Sequence, residues 1–239
     1  MLSIFKKTKK TNEIPEEYSE FLDIYLFCKD YTMTTIERMY ALYKSTEHII
    51  KNNIAGDFVE CGVWRGGSTM VVLKTLEKFG IIDRKIWLFD TFEGMSEPTA
   101  DDEDFKKESA KKQLQNSKKE DSIIWAYATI EDVKNNISLC NYPKENIFYI
   151  KGKVEDTLPN KTYFDAISLL RLDTDWYEST KIELQTLYPL LQKKGIMIID
   201  DYGHWLGCRK AVDEFFEARN EFPLLQRIDY TGRLFQKID

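Results

Sequence analysis

Apolar positions in the first quarter of the chain recur at helical spacing: Phe21, Ile24, Tyr25 and Phe27, then Ile36, Met39, Tyr40, Leu42 and Tyr43. An apolar stripe every three to four residues predicts two amphipathic helices between Ser19 and about Asn53. Downstream the pattern changes to short apolar runs at Asp57–Val63, Lys85–Asp90, Asn146–Gly152, Phe164–Asp173 and Gly195–Asp201. Helical stretches at Ser68–Phe79, Ser122–Cys140, Trp176–Leu191 and Cys208–Arg219 separate them. Strands alternating with helices build right-handed β-α-β units and a parallel sheet. Runs such as Ile196-Met-Ile-Ile199, apolar on successive residues, suit central strands covered on both faces. The last segment differs: Leu224–Asp229, the turn Tyr230-Thr231-Gly232 and Arg233–Ile238 read as two strands joined tightly. The expected fold is α/β, a doubly wound, mostly parallel seven-stranded sheet with an antiparallel C-terminal hairpin and N-terminal helices. A nucleotide-binding fold ending on helices is the alternative. Residues 1–53 form a lysine-rich tail and the helices, and residues 54–239 the main domain.

Composition narrows the classes. Forty acidic against 34 basic residues leave a net charge of −6, a sign that repels phosphate backbones and argues against general nucleic-acid binding. The 14 Phe, 13 Tyr and 5 Trp are enough to fill a sizeable core, so global disorder is excluded. Cys28, Cys61, Cys140 and Cys208 are far apart with no C-x-x-C pair, as expected of reduced thiols in a cytoplasmic protein. No apolar run approaches the roughly 20 residues needed to span a bilayer, and the lysines after the first apolar residues are in the wrong order for a secretory signal. Residues 96–121 are charge-dense and read as a solvated loop with an exposed helix; a lid over a site is the functional alternative.

Three constellations could carry chemistry. Asp57-Phe-Val-Glu60-Cys-Gly62-Val-Trp-Arg-Gly66-Gly67-Ser68 is a strand, a glycine turn and a helix start, where backbone passes close to a ligand. Its G-x-x-x-G-G spacing differs from the dinucleotide fingerprint, so pyrophosphate binding is not indicated. Asp90 closes the second strand of Trp87-Leu-Phe-Asp90-Thr91, where an acid accepts both ribose hydroxyls or merely caps the next turn. The third joins Asp173-Thr-Asp175 after one buried strand to Asp200-Asp201-Tyr-Gly203-His204 after another. Four carboxylates converging there would repel unless a cation sat among them, and Mg²⁺ or Mn²⁺ suits oxygen ligands. The bland alternative has Asp175 and Asp200 capping helices or pairing with Arg171 and Arg209. His204 ranks behind Asp175 as a base.

With these blocks in order, together with Lys151-Gly-Lys-Val154-Glu155-Asp-Thr-Leu-Pro, the stretch from about Thr32 to Phe216 resembles the macrocin O-methyltransferase family. The resemblance implies a class I, Rossmann-like methyltransferase domain that uses S-adenosylmethionine and Mg²⁺ (or Mn²⁺) to methylate a sugar hydroxyl on a small-molecule acceptor. It further implies Asp173, Asp200 and Asp201 as metal ligands and Asp175 as general base. Thr32, Met33, Glu60, Gly62, Ser68, Asp90, Thr91, Val154, Glu155 and Asp173 would line the cofactor pocket, residues 31–34 folding over it. The N-terminal helices, with apolar faces to cover, suggest a homodimer or higher oligomer. A catechol or other small polar acceptor would use the same chemistry. An NAD-dependent oxidoreductase would want a tighter glycine fingerprint, although Tyr177-Glu-Ser-Thr-Lys181 has its Tyr-x-x-x-Lys spacing. A non-catalytic binding module would tend to lose acids from the cluster, and all four are present.

Overall fold

A computed structural model describes residues 15–120, 123–159 and 161–238. The tail expected at the N-terminus falls largely, and the helix start expected at Ser122 wholly, outside the described residues. Seven strands lie in the order β3-β2-β1-β4-β5-β7-β6. They are β1 Asp57–Cys61, β2 Ile86–Asp90, β3 Ile147–Lys151, β4 Ile167–Leu172, β5 Leu191–Ile199, β6 Gln226–Arg227 and β7 Arg233–Gln236. The first five are mutually parallel, and β7 inserts antiparallel beside β5, pairing Phe235 with Met197.

The helices are α1 Leu22–Cys28, α2 Ile36–Lys51, α3 Gly67–Lys78, α4 Ala110–Gln115, α5 Ile130–Ile137, α6 Val154–Thr157, α7 Tyr177–Leu187 and α8 Leu206–Ala218. Strand side chains alternate between two cores. Phe58, Leu88, Leu169 and Ile198 face α1, α2, α3 and α5, while Val59, Phe89, Leu170 and Met197 face α4, α6, α7 and α8. This double cover explains why β4 is buried at every position and reads as a continuous apolar run. Phe21, Met39 and Tyr43 of the N-terminal helices lie in the same core as Val71 and Leu73 of α3.

Two stretches depart from the expected pattern. The single helix expected over 122–140 is broken: a 3-10 turn at Ile123–Trp125 leads through Ala126, at φ 42°, to α5, whose Thr129 cap accepts from the Asp132 amide at 3.1 Å. Residues 96–120 keep the exposed outer face expected of them but are anchored at a few buried positions. Asp102 is fully buried, its carboxylate accepting from the Tyr177 amide at 2.8 Å and the Thr99 amide at 2.7 Å. Ala110 and Leu114 of α4 join the second core. All four cysteines are buried and unpaired. Among the described residues no helix is long and apolar enough to cross a membrane.

Candidate active site

The strand order reverses between β1 and β4, and a cavity of about 450 Å³ opens at the carboxyl ends of the strands there. That is where open α/β sheets bind ligands, because the diverging loops leave a crevice. After β1 the chain turns at Gly62, φ 81°, and a Cβ there would lie 1.9 Å from the Asp173 carbonyl oxygen. Only glycine lets β1 and the end of β4 approach so closely; the Asp173 amide donates to the Cys61 carbonyl at 2.8 Å. Gly66, φ 88°, then starts α3, and the buried Ser68 lines the cavity with Gly62.

Asp90 ends β2 facing this turn. One carboxylate oxygen accepts from the Val63 amide at 2.6 Å and the Trp64 amide at 3.2 Å, the other from the Phe92 amide at 2.6 Å. The expected turn-capping role is thus present: Asp90 braces the neighbouring turns, and it also lines the cavity beside Thr91. Burial lifts its pKa while these amides oppose the rise. Thr32 and Met33 cover the opening from the segment before α2, and Val154 and Glu155 line it from α6.

Glu60, expected along the cofactor pocket, lies beneath its floor and does not line the cavity. Its carboxylate is taken up by Thr69 and Arg171: Glu60, Arg171 and Asp200 share one face of adjacent strands and form a buried ion ladder, of which Arg171 and Asp200 reach the cavity. The Arg171 guanidinium donates to Glu60 at 2.7 Å and to Asp200 at 2.8 Å, and pairs with Asp173 at 2.8 Å. Thr69 donates to the other Glu60 oxygen. Arg38 of α2 donates to the second Asp200 oxygen, and its Nε lies 3.0 Å from Asp229, too far off the N–H axis for a hydrogen bond. Burial works against the Asp200 anion, yet the two guanidiniums together hold its pKa below the usual carboxylate range.

The neighbouring acids face a different environment. Asp173, Asp175 and Asp201 bring carboxylate oxygens within 4.8 Å of one another at the cavity wall. Asp175 sits at φ 69°, so the 173–175 segment is a turn and not the extended stretch its spacing suggested. The adjacent Asp200 and Asp201 part ways after β5, one onto the arginines and one into the acid group. Burial pushes Asp175 up to about 7, and burial with neighbouring carboxylates drives Asp201 well above its ordinary value. One buried Asp201 oxygen, Oδ2, has no hydrogen-bond partner. An orphaned oxygen in a group of closely spaced carboxylates, one buried and two half-buried, is the donor chemistry that a hard divalent cation fits.

Of the expected metal residues, the structure therefore groups Asp173 and Asp201 with Asp175 and sets Asp200 on Arg171 and Arg38. Arg171 was foreseen as a possible partner of Asp200, but Arg209 donates to the Tyr202 carbonyl instead. Arg38 and Asp229 were missed. The available signal was electrostatic: four acids brought together need more than one cation. His204 and Trp205 line the cavity beside the acids, and burial lowers the His204 pKa, so the ring is neutral near pH 7.

A doubly wound sheet ending in an antiparallel hairpin, with a glycine turn and an acid group facing one crevice, is the Rossmann-like architecture of a solved O-methyltransferase. The solved O-methyltransferase NovP is similar, with a TM-score of 0.76 and 31% identity over 87% of this chain and 83% of that one. More narrowly, the chain belongs to the macrocin-O-methyltransferase family, which matches residues 21–237. It is 32% identical to demethyldecarbamoylnovobiocin O-methyltransferase of Streptomyces niveus, over 87% of this chain and 76% of the relative. It is also 32% identical to 8-demethyl-8-(2,3-dimethoxy-alpha-L-rhamnosyl)-tetracenomycin-C 4'-O-methyltransferase of Streptomyces olivaceus, over 84% and 74%.

Proposed function

We propose that this protein methylates a sugar hydroxyl with the help of a divalent cation, Mg²⁺ or Mn²⁺. The observation that carries this is the group of three carboxylates within 4.8 Å of one another on the wall of the cavity that the glycine turn lines. The rhamnosyl acceptor in the name of one relative supports the choice of a sugar. Asp173 and Asp201 would hold the cation, with Asp200 as the third ligand. Each Asp200 oxygen that accepts from an arginine keeps a second lone pair. When bound, S-adenosylmethionine supplies an electrophilic methyl group and the cation a positive charge that acidifies and orients neighbouring hydroxyls.

The chain's own residues do the rest. Asp175 takes the proton from the reacting hydroxyl as its oxygen attacks the methyl carbon; a carboxylate suffices once that hydroxyl is acidified. Gly62, Ser68, Asp90, Thr91, Val154 and Glu155 orient the cofactor, with Thr32 and Met33 shielding it from water. In a transfer governed by in-line alignment, fixing both partners is the main contribution. The four unpaired cysteines favour a reducing, cytoplasmic setting.

The test is calorimetric titration of S-adenosylhomocysteine with Mg²⁺ and again with EDTA, followed by transfer of labelled methyl to sugars and catechols. Binding in both conditions, with transfer to a sugar only when Mg²⁺ is present, is the expected result. Absence of binding overturns the cofactor assignment, and transfer to catechols alone overturns the acceptor class.

A further inference from the structure

Three aromatic rings from separate segments meet beyond the acid group. Phe105 comes from the docked segment 96–120, His204 from the loop after β5, and Tyr230 from the turn between β6 and β7. The His204 ring lies 5.5 Å from Phe105 and 5.9 Å from Tyr230, and Phe105 and Tyr230 are 6.2 Å apart. The Tyr230 hydroxyl lies 3.1 Å from His204 Nδ1. Phe105 is 50% exposed and Tyr230 51%, so apolar ring surface is held in water beside the cavity.

The backbone that carries the rings is braced. The Asp104 carboxylate accepts from the Lys106 and Glu108 amides at 2.8 and 2.9 Å, and the Leu206 amide donates to the Glu103 carbonyl at 2.8 Å, fixing the backbone on either side of Phe105. Behind Tyr230, a Cβ on Gly203 would lie 1.9 Å from the Tyr230 carbonyl oxygen, so the two loops are in direct contact. The Gly203 amide also donates to the Thr231 carbonyl at 2.8 Å. Exposed aromatic rings on braced backbone are well suited to bind flat apolar surface.

The charges beside them select its kind. Arg38 and Arg171, which line the cavity at this end, are already paired to Asp200, Asp229, Glu60 and Asp173. Lys106, 5.5 Å from the Phe105 ring, stands outside the cavity lining as Phe105 and Tyr230 do, and is a single cation at the rings. A diphosphate here would face the Asp201 carboxylate with those two guanidiniums already engaged. Uncharged hydroxyls would instead find acceptors and donors in His204, the Tyr230 hydroxyl and the Gln113 amide, and the C–H face of a pyranose stacks on the electron-rich face of an aromatic ring.

We propose that Phe105, His204 and Tyr230 form a second acceptor subsite that takes an uncharged sugar unit attached to the one being methylated, so that the acceptor is an assembled, neutral oligosaccharide. This rests on the sugar-methyltransferase reading above.

The test compares labelled methyl transfer to methyl α-L-rhamnoside, a rhamnose disaccharide, p-nitrophenyl α-L-rhamnoside and TDP-L-rhamnose. The disaccharide is expected to exceed the methyl glycoside in kcat/KM by about tenfold, a difference worth one aromatic stacking contact, and also to exceed the other two. Phe105→Ala and Tyr230→Ala are expected to collapse the disaccharide-to-monosaccharide ratio towards one through KM, and Phe105→Tyr to restore it. S-adenosylhomocysteine titration checks that each variant is folded. A disaccharide no better than the methyl glycoside, a preference for TDP-L-rhamnose or the aryl glycoside, or a ratio unmoved in Phe105→Ala overturns the subsite while leaving the sugar reading intact. Transfer to none of the four rejects the sugar reading, and the subsite falls with it.

Discussion

Asp175, half-buried on the cavity wall, and Glu183, fully buried behind it, make opposite predictions. Asp175 lies in the acid group with a cavity in front of it. Asp175→Asn keeps the shape and removes the base, so kcat should fall by about 10²–10⁴-fold with S-adenosylhomocysteine affinity nearly unchanged. Steady-state kinetics beside calorimetry checks this, and undiminished kcat removes Asp175 from the role. Glu183 of α7 lies behind the 173–175 turn, fully buried, accepting from Thr174 Oγ1 at 2.9 Å, with its other oxygen unpartnered. Burial drives its pKa well above the ordinary value. A folded pKa above the unfolded one near 4.3 means that its stabilising contribution is present at low pH and is lost as pH rises from about 4.3 towards the folded value. Glu183→Gln keeps the acceptor for Thr174 and removes the charge. It should stabilise the protein by about 1–3 kcal/mol at pH 8, with a gain that shrinks towards pH 5; thermal melts across that range are the measurement.

Among the elements, the docked segment 96–120 hangs on Asp102, whose carboxylate receives the first amide of α7 and both the amide and hydroxyl of Thr99. Asp102→Ala leaves those donors without a partner and should cost about 2–3 kcal/mol. Limited proteolysis should then cut within 96–120 several times faster; an unchanged cleavage rate would show that Asp102 does not anchor the segment. The docking was hidden in the sequence because Asp102 stands among Glu97, Asp101, Glu103 and Asp104, and only its partner on a helix 75 positions away distinguishes it. The strands were legible for the opposite reason: β4 and β5 are buried on both faces, so their apolar runs needed no knowledge of partners. Asp173, Asp175 and Asp201 could be read as a group because each follows a strand end. The separation of Asp200 from them could not, since it depends on Arg38, 162 positions earlier on a helix whose spacing shows only an apolar stripe.

Across the whole molecule, the acid group is a local cost that the proposed cation would offset. A cation at 100 times its Kd stabilises the folded state by about 2.7 kcal/mol, so Mg²⁺ should raise the melting temperature by several degrees. Asp201→Asn should raise the metal-free melting temperature and abolish the Mg²⁺ increment, and an increment of unchanged size would remove Asp201 from the ligand set. The same region depends on both ends of the sheet's construction. Thr35 donates to Asp229 across 194 positions, and β7, which follows β6 in the chain, lies between β6 and β5 in the sheet. On the ribosome, every strand that carries an acid of the group emerges well before the hairpin that supplies Asp229 and Tyr230. A nascent chain therefore carries its glycine turn and its acids before Asp229, and the contacts of Arg38 and Thr35 with Asp229 close only when the hairpin joins the sheet.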